Sequence, residues 1–418
     1  MRDGYGPKLP AGPSSGDTPR DAVIRLIRSA GQIARIDIAK RLGVSPATVT
    51  AITGDLMASG LIEEVTTLPR ASAGQDLPRG RPRVALKLVG SAILFAGIKL
   101  SAHENTLVIL DFEGRQIGHL SRPVTQAPRP FAMVVEEISR MVDDGVAAAG
   151  LTRSDLSSIG IGIPGFIDAS SGWSHWSPLL QERSVDVRRA LSERLGLPVF
   201  VDNDANLVAL AELWFGAGRE AEDFLVVTIE HGVGMGLVLG QKVYRGTRGR
   251  GVEFGHTKVQ IDGALCRCGQ RGCLEAYVAD YALLREAEAA MNLPFDSAAD
   301  PRERLETLYA AARAGNAAAL SIFTRAGRML AVGLANMINI FDPGLIILAG
   351  ERMQYDTLDS EDARAEIARG ILGHDIDLPE IRVRRWGDLL WAKGAAALAM
   401  EQTTADGFAS PQAEAADA

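Results

Sequence analysis

The residues best suited to chemistry are cysteines gathered in one short segment. Cys266, Cys268 and Cys273 are the only cysteines in the 418-residue chain, and they lie within eight residues of one another. Thiols at this spacing favour a shared metal ion over disulfides. The alternative is a set of inert buried cysteines, and a complete set of metal ligands would decide against it.

The chain divides by charge into a basic N-terminal part and an acidic remainder. Residues 1–90 carry 13 Lys and Arg against 8 Asp and Glu, whereas the rest carries 31 against 44. A basic module on an acidic body is typical of a DNA-binding head joined to an effector domain, although so small an excess also arises by chance. A charged fraction of 23% and a hydrophobic fraction of 47% exclude a chain that is disordered throughout.

The ends of the chain and its hydropathy indicate where the protein works. No apolar run is long enough to span a bilayer, so we expect no membrane partner. The N-terminal segment lacks the apolar core of a secretory signal, and we therefore expect a cytoplasmic protein. Residues 1–17 predict a flexible tail and residues 404–418 a disordered one.

Helix signals in residues 18–88 predict a winged helix-turn-helix that binds DNA. A helix over 21–30 and another over 34–42 each end before a glycine. Ser45 then caps a third helix that has Pro46 in its first position. In this motif the N-terminal residues of the last helix reach base edges in the major groove. Here those residues are Ser45, Ala47, Thr48 and Thr50.

The segments 61–68 and 84–90 read as the strands of a wing on either side of a basic loop. Arg79, Arg81 and Arg83 present guanidinium groups there on a backbone stiffened by proline, which suits the narrow minor groove of A·T-rich DNA. The competing interpretations are a helical hairpin that does not bind DNA and a solvated basic loop. Helix order, caps and wing agree with one another, and this agreement favours DNA binding.

Downstream, strand-like and helix-like segments alternate and predict an α/β body. The segment GVEFGHTKV from Gly251 is followed by GALCRCGQRGCLEAYV, and with these motifs the chain resembles the ROK family of repressors and sugar kinases. The resemblance implies an actin- and hexokinase-like body of two α/β lobes over residues 91–403, whose last helix at 389–402 returns to the first lobe. It also implies the N-terminal winged helix-turn-helix of the family's repressor branch.

The resemblance further implies a structural zinc ion. His256 joins Cys266, Cys268 and Cys273 to supply one imidazole and three thiolates, the ligand set of a closed tetrahedral site. Such a site has no open coordination position. We therefore expect zinc to hold the loop that carries His256 and Glu275 and to take no part in a reaction.

The resemblance also predicts how sugar is bound. The residues that match those holding sugar in the family's kinases are Asn203, Asp204, Glu253, His256 and Glu275. Gly165 matches a backbone turn at the same cleft. Carboxylates and an amide that converge on ring hydroxyls discriminate against ligands that lack them, so we expect a sugar or sugar phosphate effector.

The phosphate-binding loops of the kinases are altered in this chain. Lys99 to His103 replace the kinase motif D-x-G-G-T, and EHGVGMG from Glu230 replaces G-T-G-x-G-x-G. Asp204, at the position of the kinase general base, would then only bind a hydroxyl.

The resemblance thus implies no catalysis but a sugar-responsive transcriptional regulator, a repressor of carbohydrate genes that binds operator DNA as a homodimer or homotetramer. The alternatives are an active ROK sugar kinase with a fused DNA-binding head and a scaffold that binds neither ligand.

Overall fold

A computed structural model describes the chain in segments: residues 4–8, 18–66, 84–249, 251–291, 300–350, 361–373, 377–384 and 389–405. The chain forms two compact units. One consists of Met1–Glu220 with Asp388–Ala418, and the other of Ala221–Gly387.

The first unit begins with short helices and a small antiparallel sheet. The helices are α1 (Pro19–Ala30), α2 (Arg35–Leu42) and α3 (Pro46–Ala58). The strands β1 (Ile33–Ala34), β2 (Ile62–Thr66) and β3 (Val84–Leu88) pair in the order β1-β3-β2. Thr18 and Asp21 cap each other at the start of α1, so this helix begins two residues before the predicted start at 21. The predicted helix-turn-helix and wing strands are confirmed.

A mixed sheet forms the α/β layer of this unit. Its strands are β4 (Leu94–Lys99), β5 (Glu104–Asp111), β6 (Gln116–Pro123), β7 (Leu156–Ile163) and β11 (Val199–Asn203), in the order β11-β7-β4-β5-β6. Because β4, β7 and β11 are parallel, their carboxyl ends lie at one edge. The helices that pack on the sheet include α4 (Phe131–Ala148), α5 (Val187–Leu195) and α6 (Asp204–Phe215). The strands β8 (Phe166–Asp168), β9 (Trp173–Trp176) and β10 (Val185–Asp186) form a separate antiparallel sheet.

The second unit holds another mixed sheet. Its strands are β12 (Phe224–Ile229), β13 (Val233–Leu239), β14 (Lys242–Tyr244), β15 (Leu345–Ala349) and β16 (Glu380–Arg384), in the order β14-β13-β12-β15-β16. Its helices are α7 (Glu275–Val278), α8 (Asp280–Met291), α9 (Pro301–Arg313), α10 (Ala317–Phe341) and α11 (Glu361–Gly370). The sequence over 300–333 has a continuous helical period, but it forms two helices, because Gly315 adopts a left-handed φ of 85° and Asn316 caps α10.

α10 is long and apolar enough, by length and composition alone, to cross a membrane. Half of its most apolar window is buried. Phe323, Leu330 and Leu334 lie in the core of the second unit together with Leu274. Its packing is that of a core helix.

The last helix, α12 (Leu389–Ala405), belongs to the first unit and lies across its sheet. Glycines permit a very close approach. A Cβ at Gly97 in β4 would lie 2.1 Å from the carbonyl oxygen of Ala392, and one at Gly160 in β7 would lie 1.8 Å from that of Ala395. The helix was predicted at 389–402 and is three residues longer. Residues 406–418 lie outside the described residues.

Part of the predicted N-terminal tail is folded onto the first unit. The ring of Tyr5 lies 5.5 Å from that of Phe215, and the amide of Gly6 donates to the carbonyl oxygen of Trp214 at 2.8 Å. Composition alone pointed to a flexible segment, but one aromatic ring and a few backbone hydrogen bonds are enough to hold residues 4–8. The remainder of 1–17 lies outside the described residues.

Replacing Gly160 by alanine should destabilise the protein, because the new Cβ would overlap the backbone of α12. We expect the free energy of unfolding to fall by about 1 to 3 kcal/mol, as in other overpacked cores. Gly344→Ala is the control, since nothing lies within 4 Å of a Cβ there. Urea unfolding measures both variants. Equal stability of the two would contradict the packing argument.

Candidate functional site

The N-terminal end of α3 presents small side chains to solvent. Ser45, Ala47, Thr48 and Thr50 are all exposed. Ser45 Oγ accepts the amide hydrogen of Thr48 at 3.1 Å, and the Thr50 hydroxyl donates to the carbonyl oxygen of Pro46 at 2.8 Å. These local hydrogen bonds hold the helix start, and the four side chains remain exposed to solvent.

Basic residues flank this helix start. Lys40 and Arg41 are exposed in the last turn of α2, directly before the turn into α3. Sequence motifs did not single them out, although two adjacent cations before a recognition helix suit phosphate contacts. The wing arginines Arg79, Arg81 and Arg83 lie outside the described residues, so their contacts stay a prediction.

At the carboxyl edge of the first unit's sheet, Asn203 and Asp204 lie where β11 passes into α6. Asn203 Nδ2 donates to the carbonyl oxygen of Gly165 at 3.0 Å, and its Oδ1 accepts the amide hydrogen of Ala205 at 2.9 Å. Gly165 has a φ of 119°, and a Cβ there would lie 2.2 Å from the carbonyl oxygen of Trp176. The structure therefore brings together Gly165, Asn203 and Asp204, and it requires glycine at the turn.

Asp204 shares this edge with a cation. The side chain is half-buried, and burial raises the pKa of the Asp204 carboxyl above its usual range while Lys99 opposes the rise. Lys99 ends β4 and is itself buried, with Nζ 4.0 Å from the centre of the Trp391 ring. The protein thus supplies its own positive charge beside this carboxylate.

The cysteine segment of the second unit is a candidate metal site. The ligand atoms of His256, Cys266, Cys268 and Cys273 all lie within 4.8 Å of one another. Cys266 Sγ is 3.7 Å from His256 Nδ1, and Cys268 Sγ is 3.7 Å from Cys273 Sγ. Thiolates at about 2.3 Å from a tetrahedral zinc are about 3.8 Å apart, whereas a disulfide needs about 2.05 Å. The donors and their spacing fit a tetrahedral metal ion.

Tight backbone turns bring these ligands together. The amide of Cys266 donates to the carbonyl oxygen of Gln270 at 2.8 Å, and the amide of Gly269 donates to that of Cys266 at 3.0 Å. Gly272 has a φ of 75°, and a Cβ there would lie 1.8 Å from the carbonyl oxygen of Gln260. Other residues at these turns would collide with the backbone or be strained.

Glu275 begins α7 beside the cluster. Its Oε1 lies 3.6 Å from Cys266 Sγ and accepts from the Tyr281 hydroxyl at 3.4 Å. Burial raises the pKa of Tyr281, so this residue stays a hydroxyl donor. The structure places Glu275 with the cysteines, while Glu253 is exposed at the turn that carries His256.

A histidine-aspartate pair was missed in the sequence. His231 Nδ1 lies 2.9 Å from Oδ2 of the buried Asp280. In the same turn, the amide of Val233 donates to Glu275 Oε2 at 3.3 Å, so the turn lies against a predicted sugar ligand. The signal available was a histidine in the altered second phosphate loop. Its partner follows 49 residues later and could not be predicted.

Comparison with known proteins decides the family. Residues 95–402 match the model of the ROK family. The chain belongs to the ROK family. Residues 22–63 also match the model of a winged helix-turn-helix DNA-binding domain. Both matches agree with the predicted order of head and body.

Repressors and kinases of this family are both similar to the chain. The N-acetylglucosamine repressor of Escherichia coli O157:H7 is 31% identical over 339 residues, 80% of either protein. The glucokinase of Streptomyces coelicolor is 29% identical over 325 residues, 74% of this chain and 98% of the glucokinase. A crystal structure of a ROK family transcriptional regulator, a homologue of the E. coli MLC protein, has a TM-score of 0.77 and 28% identity, and the match covers 93% of this chain and 96% of that one.

The altered first phosphate loop is closed by its own side chains. The amide of Ser101 donates to Asn105 Oδ1 at 3.0 Å. The amides of His103 and Glu104 donate to Ser101 Oγ at 3.3 Å and 3.0 Å. These N–H groups are therefore already paired in the segment that was predicted to match the first phosphate-binding loop of the ROK kinases.

Replacing Asp204 by asparagine should make the sugar-free protein more stable at neutral pH. The pKa of folded Asp204 lies above its unfolded value, so the folded state loses stability as the pH rises through the raised pKa, and nothing is lost below the unfolded pKa. We expect the melting temperature of Asp204→Asn, relative to wild type, to rise as the pH increases above about 4, the ordinary pKa of an unfolded aspartate. Lys99→Met should enlarge the loss of stability with rising pH, because it removes the cation that opposes the rise in the pKa of Asp204. An advantage of Asp204→Asn that is the same at every pH would contradict this reading.

Proposed function

We propose that the protein is a sugar-responsive DNA-binding transcriptional regulator that represses genes of carbohydrate metabolism. The observation that carries the proposal is a winged helix-turn-helix joined to a ROK body whose first phosphate loop is closed by Ser101 and Asn105. A relative that is named a repressor spans 80% of the chain. A regulator of this kind works where the DNA is, and we propose the cytoplasm.

The proposed DNA-binding surface is the exposed end of α3 with the basic residues around it. The proposed base contacts are Ser45, Ala47, Thr48 and Thr50, on a helix lying in the major groove. The proposed minor-groove contacts are Arg79, Arg81 and Arg83. Lys40 and Arg41 would bind phosphates. Helix-turn-helix proteins read two-fold symmetric half-sites, so we propose a homodimer or homotetramer.

The proposed effector is a sugar or sugar phosphate. Its proposed ligands are Gly165, Asn203, Asp204, Glu253, His256 and Glu275. Support comes from their preorganisation: Asn203 is held by Gly165, and Glu275 is held by Tyr281. Half-buried acceptors fixed in this way distinguish a ligand that carries hydroxyls from one that lacks them.

We propose that the ion held by His256, Cys266, Cys268 and Cys273 is zinc and that it is structural. Four protein donors would fill all four positions around a tetrahedral ion, so none would be open for a water or a substrate. Zinc would hold the turns that carry His256 and the neighbouring Glu275, and this would couple metal content to sugar affinity.

Purified protein should contain close to one zinc per chain, and Cys268→Ser should lower the zinc content and weaken sugar binding at least about tenfold. Arg271→Ser is the matched control, because Arg271 is exposed in the same loop and offers no metal donor. Elemental analysis and calorimetry with glucose, N-acetylglucosamine and xylose make the comparison. Metal-free protein with undiminished sugar affinity would overturn the structural role.

The second candidate function is a sugar kinase with a fused DNA-binding head, and the glucokinase relative favours it. Phosphoryl transfer needs free backbone amides and an acid that organises magnesium around the phosphates. Here the amides of Ser101 and Glu104 are paired, and Lys99 replaces the acid. We therefore propose no catalysis. ATP turnover with each of the three sugars would support the kinase instead.

Sugar should change operator affinity, and Asp204→Ala should abolish this response while leaving DNA binding without sugar intact. A ligand shifts an equilibrium only by its differential affinity for the two states, and couplings of this kind are about 1 to 3 kcal/mol, or roughly 5- to 150-fold. Asp144→Ala is the control, since this exposed acid pairs with Arg122 on the surface of the same unit. Titrating sugar into a labelled complex with operator DNA gives the measurement. If a sugar binds by calorimetry and operator affinity does not move, the proposal fails.

A further inference from the structure

An arginine at the end of α1 is buried in the body of the first unit. Arg28 is only 3% exposed, and its Nε donates to the carbonyl oxygen of Phe112 at 3.1 Å. The guanidinium carbon lies 4.9 Å from the centre of the Phe112 ring and 5.2 Å from that of Trp214. Flat cations stack well on aromatic rings, and the DNA-binding head is attached to the body by this contact.

The buried charge of Arg28 is balanced by the carboxylates of Glu401 and Asp111. Burial lowers the pKa of Arg28 to about 9, and the negative charge of Glu401 opposes this change. The side chain therefore stays cationic at neutral pH. Trp214 Nε1 donates to Glu401 Oε1 at 2.8 Å, so the carboxylate that attracts Arg28 also fixes the ring on which Arg28 lies. Among the described residues, Arg28 Nη2 has no hydrogen-bond partner, so the guanidinium is held by the two rings and by the Nε hydrogen bond to Phe112.

Tyr5 and Gly6 of the N-terminal segment also contact the end of α6, next to Arg28. The amide of Gly6 donates to the carbonyl oxygen of Trp214 at 2.8 Å, and Arg219 Nε donates to the carbonyl oxygen of Gly6 at 2.9 Å. The ring of Tyr5 meets that of Phe215 edge-on at 5.5 Å. The N-terminal segment and Arg28 of α1 thus both contact the last residues of α6, Trp214 and Phe215.

α6 connects this contact to the proposed sugar ligands. It begins at Asp204 and ends at Phe215, so twelve residues of helix span about 18 Å between them. Every residue from Ala205 to Trp214 is buried. A Cβ at Gly394 of α12 would lie 1.9 Å from the carbonyl oxygen of Leu207, so α6 is packed too tightly to bend freely. A displacement at one end must therefore reach the other.

We propose that α6 is the mechanical link between sugar and DNA and that Arg28 is the positioning residue that connects it to the head. The inference rests on the proposed function. Sugar held by Asn203 and Asp204 sets the position of the first turn of α6. The last turn carries Trp214, and Trp214 sets where Arg28 and therefore α1 can lie. The two ligands are coupled because each prefers one position of this helix.

Arg28→Lys in the full-length protein tests the link. Lysine keeps the positive charge but loses the flat stacking surface and the Nε hydrogen bond to Phe112. The DNA probe is a duplex that the wild-type protein selects from a randomised library, and the sugar is whichever of glucose, N-acetylglucosamine and xylose binds by calorimetry. We expect sugar affinity to stay within about twofold, while the sugar-induced change in duplex affinity falls from the roughly 5- to 150-fold typical of such couplings to less than about twofold.

Controls separate coupling from folding. Arg129→Lys alters another buried arginine of the same unit, one paired with Glu137, and should keep the full response. Tyr5→Ala removes the ring contact with Phe215 and should reduce the response even if Arg28→Lys does not fold. A residue with only a structural role would lower the melting temperature and leave the response unchanged.

The outcomes distinguish this inference from the function on which it rests. If wild type responds to sugar and both Arg28→Lys and Tyr5→Ala respond equally well, the link through α6 is wrong and the proposed function stands. If wild type selects no duplex, or if a bound sugar leaves duplex affinity unchanged, the proposed function fails and the link fails with it. Loss of the response in the Arg129→Lys control would also overturn the assignment to Arg28.

Discussion

The close packing of α12 on β4 and β7 is the constraint on which the first unit depends. Only a residue without a Cβ allows the helix backbone to approach the strands as it does at Gly97 and Gly160. Seated there, α12 places Trp391 over the ammonium of Lys99 and Glu401 against the indole of Trp214. One helix that is last in sequence therefore supports both a charged group beside Asp204 and the contact that holds the DNA-binding head.

In the second unit, the candidate metal ligands and Glu275 are positioned by the short segment around Cys266, which has few large apolar side chains. The turns around Cys266 are closed by backbone hydrogen bonds, and left-handed glycines make these turns possible. Glu275 accepts the hydroxyl hydrogen of Tyr281, and its Oε1 lies 3.6 Å from Cys266 Sγ. Such a segment has few large side chains to bury, and a bound ion would supply the rigidity that packing does not.

Under the proposed function, the first phosphate loop accounts for the loss of phosphoryl transfer from a kinase-type fold that keeps its architecture. Ser101 and Asn105 pair the amides that a nucleotide would need, so the turn is stable without a ligand. The strands on both sides are unaffected, because their register depends on apolar residues and backbone pairing. Within one family, fold and reaction can therefore change independently.

Local signals in the sequence determined the helix-turn-helix, its wing strands, the alternation of strands and helices, and the clustering of cysteines, because caps, periodicity and motif spacing act over a few residues. The break at Gly315 was within reach of the same rules and was missed, since the surrounding helical pattern continued across it. Only the tertiary structure decided that Arg28 is buried between two rings and that His231 pairs with Asp280. An arginine in the last turn of an amphipathic helix looks like a surface residue, and its partners lie 84 or more residues away along the chain. Contacts at such separations depend on the path of the whole backbone, which no local pattern contains.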